Sequence, residues 1–352
     1  MDFPPLVGGI ANYYFNLAQR MPSDKIVVLM NKTANCKLSV ASCKFRIYYK
    51  NFFSKLIWPH WLPLIWHVYK IAKDERIEML WVGQVLPVGT AVFVVSKLLK
   101  IPYYISCHGN DLLRAKSISR KHKLAKKILE NAEYITANTQ FTKNILINDF
   151  SLPAEKIKII YPVNVLSRDQ VNRKKVEELR RKYNLQGKRI LLTVARLVKS
   201  KGVDNVIKAL PRVWQEISDL VYLIVGDGLF SDELLVISGQ VDKERKRIIF
   251  TGSVPHNELP NYYALADVFI LTPRKTGTDT ESFGIVYLEA KEFGLPIIAG
   301  NTGGVREIKN IIETQQCYIS TDTNKFILVN SENILEISNA IKKSLSKKIE
   351  RD

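Results

Sequence analysis

Two carboxylates, Glu281 and Glu289, bracket an apolar run in DTESFGIVYLE (279–289). The run before it, DVFILTP (267–273), has the composition of a buried strand. The run after it, LEAKEFGLP (288–296), reads as a helix stopped by Gly294 and Pro296. The pattern therefore puts Glu281 on a loop at the carboxyl end of a strand and Glu289 about two turns into, or beside, the next helix. Ligands bind at that end of open parallel α/β sheets. Free amides at a helix start suit phosphate or sugar oxygens, and Gly284 lets backbone approach closely. A carboxylate accepts paired sugar or ribose hydroxyls. The plainer alternative is a capped helix with two solvated acids.

Other residues have the same kind of chemistry. Arg196 and Lys201 flank a turn in ARLVKSKG, where a guanidinium fork and a mobile ammonium could neutralise a diphosphate. Two exposed cations are the alternative. VGDG (225–228) is a turn on its own, and NTGGVRE (301–307) is a possible second glycine loop. His108 stands at a strand end in HGND, although a lone histidine is more often structural. DTE (279–281) imitates a metal-binding triplet but reads better as part of the glutamate loop. No His/Cys/carboxylate cluster has catalytic-metal spacing, so the expected metal set is none. The Gly8-Gly9 pair, Arg196 with Lys201, the glutamate loop and Glu289 would together suit one negatively charged nucleotide.

Charge is uneven along the 352 residues. The net is +18, with 23 Lys and Arg against 10 Asp and Glu in residues 1–165, and 29 against 24 thereafter. A basic first half suits an anionic partner such as a phospholipid surface, or is simply a lysine-rich face. Nucleic acid is excluded as the expected partner because no recognition motif accompanies the charge. Cys36, Cys43, Cys107 and Cys317 lack ligand spacing and read as reduced thiols of a cytosolic protein. The most apolar stretch (79–95) is broken by Gln84, Pro87 and two glycines, so it predicts a strand, a loop and a helix rather than a membrane span.

Strands and helices alternate in both halves, which predicts an α/β protein with two parallel-sheet domains. The expected boundaries are 1–164, a linker and charged helix at 165–187, and 188–352, with a hinge at YPVN (161–164). Residues 45–69 carry nine aromatics, including Trp58, Trp61 and Trp66, among Arg46, Lys50 and Lys55. That mixture suits a membrane interface, stacking on a sugar acceptor, or a core helix with an aromatic face. Residues 114–127 hold seven Lys or Arg and read as one basic amphipathic helix or a solvated face. PIIAG (296–300) reads as the last strand.

These motifs resemble the retaining glycosyltransferases of family 4, whose Glu-x7-Glu signature matches ESFGIVYLEA (281–290). FPPLVGGIANY, HGND, ARLVKSKG, VGDG, FTGSVPHNELPNYYALADVFILTP and NTGGVRE follow in family order across nearly the whole chain. The resemblance implies the GT-B fold: two Rossmann-like parallel-sheet domains facing an interdomain cleft, acceptor in the first, donor in the second. It implies transfer from a nucleotide-sugar donor with no cofactor or metal required. Glu281 would face the donor sugar hydroxyls, and the backbone at Phe283, Gly284 and Ile285 the sugar and diphosphate. Glu289 would bind the ribose, and Arg196, Lys201, Gly8 and Gly9 the phosphates. His108 would lie by the donor sugar and Val254 by the base, with domain closure assembling the site. GDP-mannose is the favoured donor, a UDP-sugar the next, and the acceptor is lipid-linked at the cytosolic membrane face or a growing polysaccharide. A non-catalytic relative that binds a nucleotide-sugar or glycan is the competing reading. The family also carries a strand before FPP and helices that return to the first domain, both expected to be missing here.

Overall fold

The computed structural model describes residues 9–32, 45–244, 246–314 and 326–346. The chain divides into two compact units, Met1–Pro162 and Val163–Asp352.

The first unit begins with α1 (Gly9–Gln19), followed by β1 (Val27–Asn31) and β2 (Arg46–Lys50), which pair in parallel. Next come α2 (Leu62–Asp74), β3 (Leu80–Val82), α3 (Val88–Leu99), β4 (Tyr103–Cys107), α4 (Asn110–Lys116) and α5 (Ser119–Asn131). The unit ends with β5 (Tyr134–Ala137), α6 (Gln140–Phe150) and β6 (Ile157–Ile159). Strands β3 to β6 form a parallel sheet in sequence order. Its core packs Ile105, Ile128, Leu129 and Ile135 with Leu64 and Val68 of α2. A smaller cluster seats Tyr14 and Ala18 of α1 on Met30 and Phe45.

The second unit runs α7 (Arg173–Lys182), β7 (Arg189–Val194), α8 (Val203–Trp214), β8 (Leu220–Val225), α9 (Ser231–Val241), β9 (Ile248–Gly252) and α10 (Leu259–Leu265). It continues with β10 (Val268–Leu271), α11 (Ile285–Glu292), β11 (Ile297–Gly300), α12 (Val305–Thr314), β12 (Phe326–Val329) and α13 (Ile334–Leu345). Its six strands lie in the order β12-β11-β10-β7-β8-β9, all parallel. The winding reverses between β7 and β10, the switch point where such sheets bind ligands. Residues on β7, β8 and β10 are buried on both faces, so β8 and β10 read as unbroken apolar runs and β7 is interrupted by Thr193 alone after Arg189.

Several expectations are corrected. The basic run 114–127 is two helices, because Ile118 takes an extended conformation (φ −131°, ψ 118°) between α4 and α5. Residues 45–69 are a strand, a loop and the start of α2 rather than one core helix. PIIAG is not the last strand: β12 follows it and pairs with β11 along four residues. A 3-10 turn (His256–Glu258) leads into α10. Gly8 and the cysteines Cys36, Cys43 and Cys317 lie outside the described residues.

Candidate functional site

Loops that follow β7, β8, β10 and β11 are tied together at the carboxyl end of the second sheet. After β7 the chain passes Arg196 and reaches Lys201 in a 3-10 turn (Lys199–Lys201). The Ala195 amide donates to the Val225 carbonyl (3.0 Å) and the Leu197 amide to the Asp227 carbonyl (2.9 Å). The VGDG turn is therefore the bed on which the arginine loop rests. On the other side, Thr272 Oγ1 donates to the Gly202 carbonyl at 3.1 Å and the Arg274 amide to the Ser200 carbonyl at 2.9 Å. Arg274 itself, nearly buried, pairs with Asp204 at 3.0 Å.

Lys201 and Glu281 meet directly: Nζ lies 2.5 Å from Oε2, with both side chains largely shielded. Arg196 is exposed and takes part in no salt bridge among the described residues. The Glu281 backbone is clamped by the NTGG loop, whose Gly304 amide donates to the Glu281 carbonyl at 2.9 Å. Gly303 (φ +57°) passes so close that a Cβ there would stand 2.0 Å from that carbonyl oxygen. Gly284 (φ +85°) caps α11, and a Cβ there would strike the Tyr287 ring at 2.5 Å. Only glycine fits either position. Phe283 is buried in the core cluster that Ile285 and Val254 pack against. Val254 follows the edge strand β9, away from the Lys201–Glu281 pair in strand order.

Glu289 lies just over one turn into α11, not two, and is buried. Its carboxylate accepts a 2.7 Å hydrogen bond from the Tyr263 hydroxyl. Burial pushes the carboxyl up to about 7, against the opposing pull of that hydrogen bond. Tyr263 is fully buried and stacks on Phe293 with ring centroids 5.3 Å apart.

In the first unit, His108 closes β4 and is buried, its Nε2 sharing a 2.6 Å hydrogen bond with the Tyr14 hydroxyl of α1. The Tyr14 ring meets His108 and Trp81 edge-on. Desolvation depresses His108 to about 4, so the ring is neutral near pH 7. Its backbone amide donates to Asp111 Oδ1 at 3.1 Å, and burial raises that carboxyl to about 6. Gly9 opens α1.

The structure thus brings together Glu281, Lys201, Gly284 and the 195–202 and 301–304 loops, and sets His108 in the other unit. Tyr263 and Tyr14 escaped the reading of the sequence. Tyr263 lies 26 residues before its glutamate and Tyr14 lies 94 before its histidine, so no local spacing marks either pair. No group of three or more His, Cys, Asp or Glu among the described residues forms a metal-holding cluster.

The chain matches two family descriptions, "Glycosyl transferases group 1" over residues 175–352 and "Glycosyltransferase Family 4" over residues 7–163. It is 29% identical over 248 residues to a GDP-mannose-dependent alpha-(1-6)-phosphatidylinositol monomannoside mannosyltransferase of Mycobacterium tuberculosis. That match covers 68% of this chain and 62% of the relative, so the chain spans less than two thirds of that protein. A GDP-mannose-dependent monoacylated alpha-(1-6)-phosphatidylinositol monomannoside mannosyltransferase of Corynebacterium glutamicum is 27% identical over 314 residues, 87% of this chain and 80% of the relative. Among solved structures, Anabaena HepE in complex with UDP-glucose superposes with a TM-score of 0.78 at 20% identity, over 97% of this chain and 87% of that one.

Proposed function

The chain belongs to the family 4 glycosyltransferases of the GT-B fold, and from that premise we propose that it moves a hexose, with retention, from a nucleotide-sugar to a lipid-linked acceptor. The observation that carries this reading is the Lys201–Glu281 pair at the β7/β10 switch point, with exposed Arg196 on the same loop as Lys201. An exposed guanidinium that makes no salt bridge among the described residues, on the loop that also carries Lys201, is matched to an anionic ligand.

In this reading Arg196 and Lys201 hold the diphosphate, together with amides at Gly8 and Gly9. They stabilise the charge that grows on the leaving phosphate. Glu281 takes the donor sugar hydroxyls, and the backbone of Phe283, Gly284 and Ile285 borders sugar and diphosphate. Glu289 receives the ribose hydroxyls, Val254 borders the base and His108 the donor sugar. The acceptor attacks from the face the nucleotide leaves, and a phosphate oxygen takes its proton. Positioning and electrostatics then do the catalysis without a dedicated protein base.

GDP-mannose is the donor we favour, on the motif likeness and the mannosyltransferases named above. A UDP-sugar is the second reading, since the superposed HepE complex contains UDP-glucose. The acceptor we favour is a lipid-linked glycan at the inner membrane face, ahead of a free polysaccharide. Calorimetric titration of GDP, UDP and ADP into wild-type and Glu289→Ala protein tests the donor. A GDP preference that the substitution removes supports the mannosyl reading, whereas a UDP preference replaces the donor and keeps the fold. Donor hydrolysis separates an enzyme from a binding relative: a folded chain that binds a nucleotide-sugar but neither hydrolyses nor transfers it overturns the catalytic reading.

A further inference from the structure

The first unit carries an apolar surface that its core does not use. Between β2 and α2, Phe53, Leu56, Ile57 and Trp58 all face solvent, with Leu56 96% and Trp58 84% exposed. Four large apolar side chains within six residues are far more than isolated surface exposure accounts for. The loop holds them out by a closed geometry. The Ser54 amide donates to the His60 carbonyl at 2.8 Å, His60 Nδ1 lies 2.9 Å from the Ser54 carbonyl, and the Leu56 amide donates to Ser54 Oγ at 3.2 Å. Phe52 anchors the base, buried, with its amide on Asn31 Oδ1 at 3.0 Å.

Helix α2 continues the surface. Leu64, Val68, Ile71 and Ala72 face the core. Leu62, Trp66, Lys70 and Lys73, at helical spacing, share the opposite face and are exposed, Trp66 at 61%. Trp66 stacks on Tyr69 with centroids 6.4 Å apart. The apolar tip thus gives way along the helix to lysines. Across residues 45–73 there are five Lys or Arg and no Asp or Glu.

We propose that the 53–62 loop and the outward face of α2 dock this protein on an anionic phospholipid surface, inserting Leu56, Ile57 and Trp58 while Lys55, Lys70 and Lys73 meet the headgroups. The charge decides the occupant. Arg46 pairs with Glu75, but Lys55, Lys70 and Lys73 stand exposed beside the projecting apolar tip and complement a negatively charged lipid layer, and tryptophan favours the headgroup boundary. No helix among the described residues is long and apolar enough to cross a membrane, so attachment of this kind would be interfacial. The inference rests on the lipid-linked acceptor of the proposed function, since it brings the enzyme to the phase where that acceptor lies.

Sedimentation of the full chain with phosphatidylglycerol–phosphatidylethanolamine vesicles tests it, with phosphatidylcholine vesicles as control. Binding to the anionic vesicles is expected, accompanied by a blue shift of tryptophan emission and weakening with salt. Leu56→Glu with Trp58→Glu should lower the partition about tenfold or more, and Lys55→Glu with Lys70→Glu by a similar factor. Both double variants should keep wild-type circular dichroism and nucleotide affinity, which shows that they fold. Wild-type protein that ignores anionic vesicles, or a Leu56→Glu/Trp58→Glu variant that binds them undiminished, overturns the proposal. So does a dimer abolished by the same pair without any lipid binding, or a fluorescence response to soluble oligosaccharide alone. Vesicle binding without nucleotide binding would leave this surface standing and remove the transferase reading. Nucleotide binding without vesicle binding would do the reverse.

Discussion

The Lys201–Glu281 corner of the second unit and the His108–Tyr14 corner of the first are built on opposite electrostatic plans. The former pairs two full charges and adds the exposed guanidinium of Arg196 on the same loop as Lys201. The latter is a neutral aromatic nest in which burial keeps His108 uncharged and raises Asp111. One corner offers a charged pair, the other a neutral histidine–tyrosine hydrogen bond. In the proposed function the diphosphate falls to Arg196 and Lys201, and the donor sugar to Glu281 and His108.

The two corners are also held differently. Backbone contacts between successive loops hold the Glu281 main chain, whereas the His108 ring is held by the Tyr14 hydroxyl and its edge-on aromatic contacts. The strongest way to break the comparison is to attack the backbone clamp. Gly303→Ala places a methyl where the Glu281 carbonyl already stands and puts alanine at φ +57°. Overpacking and left-handed strain together should cost about 3 kcal/mol. Thermal unfolding measures the loss, and nucleotide titration should show that binding falls with it. A variant with unchanged stability and affinity would mean the 301–304 loop does not position Glu281.

A smaller effect is expected in the first unit. Tyr14→Phe deletes the 2.6 Å hydrogen bond and leaves the buried His108 Nε2 unpaired. The cost should be about 1–3 kcal/mol in chemical denaturation. Nucleotide affinity should stay at the wild-type value, because the charged corner is untouched. A matching loss of GDP or UDP binding would contradict the separation of the two corners.

Much of this was legible in the chain. Strands β7, β8 and β10 stand out because both faces are buried and the apolar runs are unbroken or, in β7, interrupted by Thr193 alone after Arg189. The Glu-x7-Glu spacing, ARLVKSKG and HGND mark Glu281, Glu289, Arg196, Lys201 and His108 as candidates in the sequence itself. What stayed hidden follows from physics of longer range. The break at Ile118 carries no Gly or Pro, so a continuous basic helix was the natural reading. VGDG looked like a plain turn because its purpose, supporting the Arg196 loop, lies in hydrogen bonds to residues about thirty positions away. Partners such as Tyr263 belong to tertiary packing and leave no period in the sequence.

Acid–base behaviour sharpens the comparison further. The raised carboxyl of Glu289 means that the folded state holds its proton up to about pH 7, where the unfolded chain gave it up near 4.5. The folded state's advantage from this group is therefore full below 4.5 and is lost as pH rises through 7. His108 has the opposite sign. Its depressed value means that stability falls as pH drops from 6.5 toward 4, and Asp111, raised to about 6, offsets part of that fall. The difference in melting temperature between wild type and Glu289→Gln should accordingly narrow or reverse from pH 5 to 8, and a flat difference would place Glu289 in water. If Glu289 receives ribose hydroxyls as a carboxylate, nucleotide affinity should drop about tenfold between pH 7.5 and 6 beyond any drop in Glu289→Gln.

The finest test concerns the hydrogen bond from Tyr263. That bond favours the carboxylate, so removing it with Tyr263→Phe should raise the Glu289 carboxyl further. The midpoint of the pH-dependent affinity should then move up by less than about one unit, since one neutral hydroxyl stabilises a charge by roughly 1 kcal/mol. At pH 8.5, where both proteins carry the carboxylate, the affinities should converge. A midpoint that stays fixed would show that Tyr263 only fills space beside Phe293, and that burial alone sets the charge of Glu289.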